Sequence, residues 1–298
     1  VVSTHPVAFL KGHGTENDFV ILPDPAGELR LSTETVARLC DRRAGVGGDG
    51  LLRVVRSAAH PEAREMASEA EWFMDYRNGD GSLAEMCGNG LRVFAYHLVR
   101  SGLVPAGDLA VATRAGVRHV RASASGGDAA GRAADGAVTV DMGRAKQLDG
   151  AVTVTVGDRS WPAYALDLGN PHAVVFVDEL ADAGALRTAP AVAPVTTFPD
   201  GVNVEFVVRR GERHIALRVH ERGAGETRSC GTGACAAMVA AARRDGADPA
   251  LDGSGVTYTV DVPGGRLVIA EEADGRIVMT GPAVIVAEGS LNAGQFGF

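Results

Sequence analysis

Lysine is almost absent from this chain of 298 residues: of 29 Lys and Arg side chains, only Lys11 and Lys146 are lysines. Amino-acid chemistry on pyridoxal phosphate needs a Schiff-base lysine. Lys11 lies in "FLKGHG" at a strand end and Lys146 in the connecting "MGRAKQLDG". Neither placement suggests such a site, so a reaction without a cofactor is expected. Long apolar runs are also missing. None approaches the ~18 residues a membrane-spanning helix needs, so no membrane partner is expected. Basic clusters are lacking and the net charge is −8, which argues against a nucleic-acid footprint and favours small molecules. No basic stretch followed by an apolar core opens the sequence, so no secretory signal is expected and a cytoplasmic location is. Cysteine is limited to Cys40, Cys87, Cys230 and Cys235, with no CxxC pair, and the eight histidines show no HxxxH grouping. Metal binding is therefore not expected. A chain this long needs no disulfide staples, so free thiols are the better reading.

Two of those cysteines stand in matching contexts. "EMCGNGLRVFAYHLVRSG" (85–102) and "RSCGTGACAAMVAAARRDG" (228–246) each place a cysteine before a glycine-bracketed turn and an apolar stretch. Other segments repeat in the same order. "ENDFVIL" (16–22) resembles "GNPHAVVFV" (169–177), "GVGGDGLLRVV" (45–55) resembles "PDGVNVEFVV" (199–208), and "DGAVTVDMG" (135–143) resembles "DGRIVMTG" (274–281). The shared order indicates an internal duplication, consistent with two domains of about 150 residues each. Two segments fall outside the echo. "SAAHPEAREMASEAEW" (57–72) reads as a polar, helix-compatible surface insertion, and "ASASGGDAAGRAADG" (122–136) as a mobile hairpin tip.

The stretches 91–100 and 234–242 are apolar on more than one face, so each predicts a helix buried on every side. Gly102 and Gly246 supply the stops. The expected fold is α+β, with two pseudo-symmetric halves, each a mixed β-sheet curled around a central helix. The halves divide into residues 1–145 and 146–281.

A cysteine at a helix start meets unpaired backbone N–H groups that favour anions. Such a position is expected to lower the thiol pKa. The turns "CGNG" and "CGTG" leave donors open to a carboxylate, with Gly88, Gly90, Gly231 and Gly233 keeping the approach clear. Two thiols facing one bound carboxylate suggest inversion of the adjacent carbon: one thiolate removes its proton and the other thiol returns one to the opposite face. Cys40 and Cys235 read as core. A lone cysteine before a buried helix is ordinarily a small hydrophobe; the pairing is what points to chemistry.

Taken together, "KGHGTENDFV", "RAGVGGDGLL", "NGDGSLAEMCGNGLR", "LGNPHAVVFV", "GVNVEFV", "ERGAGETRSCGTGACAA" and "VPGGRLVI" make the chain similar to the diaminopimelate epimerase family over nearly its whole length. The resemblance implies cofactor-independent interconversion of LL- and meso-diaminopimelate, in lysine and peptidoglycan precursor synthesis, with Cys87 and Cys230 as the acid–base pair. It implies that Gly88, Asn89, Gly231 and Thr232 hold the reacting carboxylate. Asn17, Asn78, Asn170, Asn203 and Arg222 would bind the rest of the substrate, with Glu221 beside its reacting end. His172 and Glu221 would set which thiol is ionised. It also implies a homodimer, and return of residues 282–298 to the first half. Some members carry a Gln after the turn Asp; here that place is Gly50, with a water or neighbouring side chain expected to fill the gap.

Each of these residues has a plainer reading. Asn at turn–strand junctions often serves the backbone alone, Glu221 and Arg222 read equally as a solvated pair, and His172 as a satisfied core histidine. A proline or hydroxyproline racemase, a thiol redox protein and a non-catalytic binding module are the alternatives. The asparagines and "HERGAGETRSCGTG" suit a long substrate with two charged ends better than a compact imino acid.

Overall fold

The computed structural model describes residues 6–123, 126–127, 133–134 and 137–298. The proposed hairpin tip at 122–136 therefore lies for the most part outside the described residues. The chain separates into two compact units, Val1–Val140 with Gly281–Phe298, and Asp141–Thr280.

In the first unit the strands are β1 (Val7–Gly14), β2 (Asn17–Pro23), β3 (Gly50–Arg56), β4 (Trp72–Asn78), β5 (Gly107–Thr113), β6 (Gly116–Ala122), the two-residue pair β7 (Gly126–Gly127) and β8 (Ala133–Ala134), and β9 (Ala137–Gly143). The last strand of the chain, β21 (Val284–Leu291), pairs antiparallel with β1. From there β1 pairs with β2 antiparallel, β2 with β3 parallel, and β3 with β4 antiparallel. Next, β4 pairs with β5 parallel, and β5–β6 and β6–β9 are antiparallel. Helix α1 (Thr33–Cys40) is capped by the Ser32 side chain. Helix α2 (Gly88–Arg100) is buried from Gly88 to Val99 and touches β1, β2, β3, β4, β6 and β21.

The second unit contains β10 (Lys146–Gln147), β11 (Val152–Val156), β12 (Arg159–Asp167), β13 (Pro171–Phe176), β14 (Ala191–Ala193), β15 (Asn203–Gly211), β16 (His214–Glu221), β17 (Gly225–Thr227), β18 (Val256–Val262), β19 (Gly265–Glu271) and β20 (Ile277–Pro282). Here β11–β12–β13 is antiparallel, β13–β15 parallel, β15–β16 antiparallel, β16–β18 parallel, and β18–β19–β20 antiparallel. Strand for strand, this is the same succession as in the first unit, with β11 in the place that β21 takes there. Helix α3 (Gly231–Arg244) touches β12, β13, β15, β16, β18 and β19.

Both helices are buried along nearly their whole length because strands surround them, α2 with Asn89, Arg92 and His97 inside, and both end as expected. Gly102 and Gly246 adopt φ of +68° and +81°. The next residues, Leu103 and Ala247, donate back to the Leu98 and Ala242 carbonyls, the pattern of a left-handed C-terminal stop. The segment 57–72 departs from its sequence reading. It contains two short 3-10 turns, Ser57–Ala59 and Arg64–Met66, rather than a helix. Ala63 and Ala70 are buried with Val55, Phe73 and Ala112, so small apolar residues pin it to the sheet. No helix among the described residues is long and apolar enough to cross a membrane.

Candidate active site

Helix α2 starts with Cys87 as its N-cap, and the sulfur accepts the Gly90 N–H at 3.4 Å. The sulfur thus takes up one of the donors a helix start leaves unpaired. Cys87 Sγ in turn donates to Asn17 Oδ1, 3.6 Å away, and Asn89 Nδ2 donates to the same oxygen at 3.2 Å. Asp49 fixes this orientation. A carboxylate only accepts, and Asn17 Nδ2 donates to Asp49 Oδ2 at 2.8 Å. Arg42 holds Asp49 at 2.8 Å and also pairs with Asp18. Lys11, which lies inside β1 rather than at its end, reaches Asp18 and the Gly47 carbonyl. Burial opposes ionisation of Asp18, yet the bonds from Arg42 and Lys11 hold its carboxyl well below the usual range.

Asn17 owes its place to a hairpin turn in which Thr15 and Glu16 have φ of +51° and +61°. Two left-handed residues match the twist of the flanking strands, and side chains there carry a conformational cost. The fully buried Arg92 of α2 braces the turn, donating to Thr15 Oγ1 at 3.2 Å. Across β3 and β4, Gly50 pairs with Asn78. A Cβ on Gly50 would lie 2.6 Å from the Arg77 carbonyl oxygen and 2.8 Å from the Tyr76 ring. Tyr76 therefore fills the space in which a longer residue would stand, and its hydroxyl donates to Asn78 Oδ1 at 3.1 Å. Asn78 Nδ2 donates to Ser82 Oγ.

In the second unit Cys230 caps α3, its sulfur accepting the Gly233 N–H at 3.4 Å and lying 3.5 Å from Thr232 Oγ1. The Glu221 side chain is hydrogen-bonded to Cys230 and accepts from the Thr227 hydroxyl. His172 is fully buried, with Nδ1 2.7 Å from Glu205 Oε1 and Nε2 3.0 Å from Asn170 Oδ1. Asn203 Oδ1 accepts the Arg222 backbone N–H at 2.8 Å, and the exposed Arg222 guanidinium donates to the Asp200 carbonyl. Asn203 is thus engaged by backbone, as the plainer reading of a turn–strand Asn anticipates.

One expectation needs correction. The thiol at the second helix start is not acidified: burial first, then the Glu221 and Glu205 carboxylates, push Cys230 well above the ordinary thiol range, outweighing the Thr232 and Gly233 donors. Burial and Glu205 likewise push Glu221 upward, against the bonds from Thr227 and Cys230. An addition concerns the glycines. A Cβ on Gly90 would meet Leu52 Cδ2 at 3.1 Å, and one on Gly233 would meet Glu205 Oε1 at 2.6 Å. These two glycines let the helix approach the sheet, a use the sequence reading did not include.

Sequence reasoning missed Asp49, Tyr76 and Glu205. Glu205 was detectable, because it is the one charged residue in the apolar run "VNVEFVV" and shares a strand face with Asn203, two residues away. Asp49 stands in a glycine-rich turn, where its evident use is the turn itself. Tyr76 gave no sequence signal.

The chain shares its fold with several solved proteins. A hydroxyproline epimerase from Agrobacterium vitis superposes with a TM-score of 0.68 at 14% identity, covering 100% of this chain and 96% of that one. A phenazine biosynthesis protein of the PhzF family from Bacillus anthracis gives 0.68 at 18% identity, with coverages of 96% and 99%. At such identities the likeness establishes architecture alone. Sequence goes further: the family model for diaminopimelate epimerase matches residues 9–148 and 164–286. The diaminopimelate epimerase of Streptomyces coelicolor is 66% identical over 96% of both chains, and that of Mycolicibacterium smegmatis 47% identical over 95% of this chain and 96% of its own. The chain belongs to the diaminopimelate epimerase family.

Proposed function

We propose that the chain epimerises LL-2,6-diaminopimelate to meso-diaminopimelate by proton exchange between two thiols, without an added cofactor, in lysine and peptidoglycan precursor synthesis. One observation carries this reading. In each of two units of equal topology, a cysteine sulfur caps the N-terminus of a strand-wrapped helix, and the family is that of the epimerases.

In this mechanism one sulfur takes the α-proton as thiolate and the other delivers a proton as thiol. The N–H groups of the turns at Gly88–Asn89 and Gly231–Thr232 receive the carboxylate as negative charge spreads onto it. Asn17, Asn78, Asn170 and Asn203 orient the remaining polar groups, and Arg222 swings from Asp200 to a carboxylate as a two-pronged donor. Glu221 and His172 set the charge around Cys230. A homodimer in the cytoplasm is part of the proposal.

The test is α-hydrogen exchange in deuterated water with the reduced protein, offering LL- and meso-diaminopimelate and L-proline. Deuterium should enter one centre of diaminopimelate with inversion and be lost in Cys87→Ala and in Cys230→Ala. Exchange of proline alone would keep the chemistry and overturn the substrate; no exchange would leave a binding or redox site.

A further inference from the structure

The matching strand succession of the two units allows a residue-by-residue comparison of what lies under each sulfur. In the first unit Phe19 pairs with Gly50, and two residues on Ile21 pairs with Leu52. At the same steps in the second, His172 pairs with Asn203 and Val174 with Glu205. The glycines one turn into each helix confirm the equivalence. A Cβ on Gly90 would touch Leu52 and Phe19; one on Gly233 would run into Glu205. An apolar floor of Phe19 and Leu52 beneath Cys87 is thus replaced by an ionisable floor of His172 and Glu205 beneath Cys230. Glu205 is fully buried, Oε1 bound to His172, and its Oε2 has no hydrogen-bond partner among the described residues. Leaving a buried carboxylate oxygen unpaired is costly, and Leu52 shows that this fold accepts an apolar residue at that point.

We propose that Glu205 is a positioning residue that makes the two half-sites unequal: it fixes His172 and, adding to burial and Glu221, keeps Cys230 in its thiol form. The proposal rests on the assignment of the two cysteines as the acid–base pair. Two carboxylates face Cys230 from the packed strands, Glu205 on β15 and Glu221 on β16, and His172 on β13 is bonded to the first of them. Arg222 and Arg228 precede it in sequence, the former turned toward Asp200. Removing the charge of Glu205 leaves Glu221 as the remaining carboxylate beside the sulfur.

The experiment is a titration of thiolate ultraviolet absorbance in the full chain carrying Cys87→Ala. The Cys87→Ala/Cys230→Ala protein is subtracted so that Cys40 and Cys235 cancel. With Glu205→Gln the Cys230 half-titration point should fall by about one pH unit or more, equivalent to roughly tenfold more thiolate at a given lower pH. Glu205→Asp should retain most of the original value. A merely structural role would lower the melting temperature and leave the titration in place. If Glu205→Gln does not fold, Glu205→Leu, which copies the first unit, is read the same way. An unchanged or raised half-titration point overturns the proposal. Because this readout needs no substrate, it is independent of whether Cys230→Ala abolishes epimerisation.

Discussion

Asn17 can offer the Cys87 sulfur either an oxygen or an N–H group, and Asp49 removes the second choice by taking the Nδ2 side. An isosteric Asp49→Asn substitution restores the choice, because Asn both donates and accepts. Once the Asn17 N–H can turn to the sulfur, the thiolate is favoured. Alkylation of the Cys87 peptide by iodoacetamide at neutral pH should accelerate roughly tenfold, read by mass spectrometry; an unchanged rate would sink the idea. Cys40 provides the contrast, since burial pushes its thiol up to about 12, and it should stay unmodified in the same digest. A different residue contributes to the acid limit of stability. Burial, with Arg100 adding to it, pushes His97 down to about 4 from 6.5. The unfolded chain therefore binds a proton that the folded one refuses between those values. The His97 contribution to stability is complete above pH 6.5 and is lost as pH falls toward 4, by roughly 3 kcal/mol in the limit. His97→Leu should flatten the melting temperature over that window. At this scale the sequence displayed the cysteines and asparagines because their motifs are local. It hid Asp49 and Tyr76, because their uses depend on the partners that strand register brings to them.

Elements were more legible than their junctions. The stretches apolar on more than one face gave both central helices, since nothing but burial suits such a surface. The actual helices begin earlier, at Gly88 and Gly231, because a cysteine sulfur can do what a Ser or Asp oxygen ordinarily does at an N-cap. The segment 57–72 misled because its acidic residues mask two alanines that face inward. Gly90 and Gly233 yield a comparative prediction. Ala favours a helix over Gly by up to about 1 kcal/mol, and at Gly90 the new methyl presses only the end of Leu52. At Gly233 it collides with a buried carboxylate already fastened to His172. Gly233→Ala should therefore destabilise by about 1–3 kcal/mol and Gly90→Ala by clearly less. Urea unfolding midpoints will rank them, and equal midpoints would mean that Glu205 moves aside freely.

At the scale of the whole molecule, the order of echoed segments revealed the duplication, and the strand register shows how thorough it is. Equivalent positions run through β2 and β13, β3 and β15, β4 and β16, and both helices. What the sequence could not display was divergence beneath matching backbone, such as Leu52 against Glu205, since equivalence is defined by pairing and not by local text. The β21 strand carries its own prediction. Leu291, Phe296 and Phe298 pack with Val20, Leu22, Val36 and Leu39, and Thr35 and Arg38 of α1 bind the carbonyls of Phe296 and Gln295. Deleting residues 284–298 should strip β1 of a partner and uncover this cluster. The expected outcome is loss of soluble, cooperatively melting protein, measured by gel filtration and circular dichroism; a monodisperse, cooperative product would contradict it.

The place of β21 beside β1 also has a consequence in time. Synthesis proceeds at roughly 5–20 residues per second, so β1 leaves the ribosome tens of seconds before the strand that covers its outer edge. All strands of the second unit emerge before that edge is closed. The half made first is thus the last to be finished, and an unpaired strand edge is a template for wrong pairing. Emergence of β21, rather than the appearance of Cys87, marks the moment at which the first half-site can be complete.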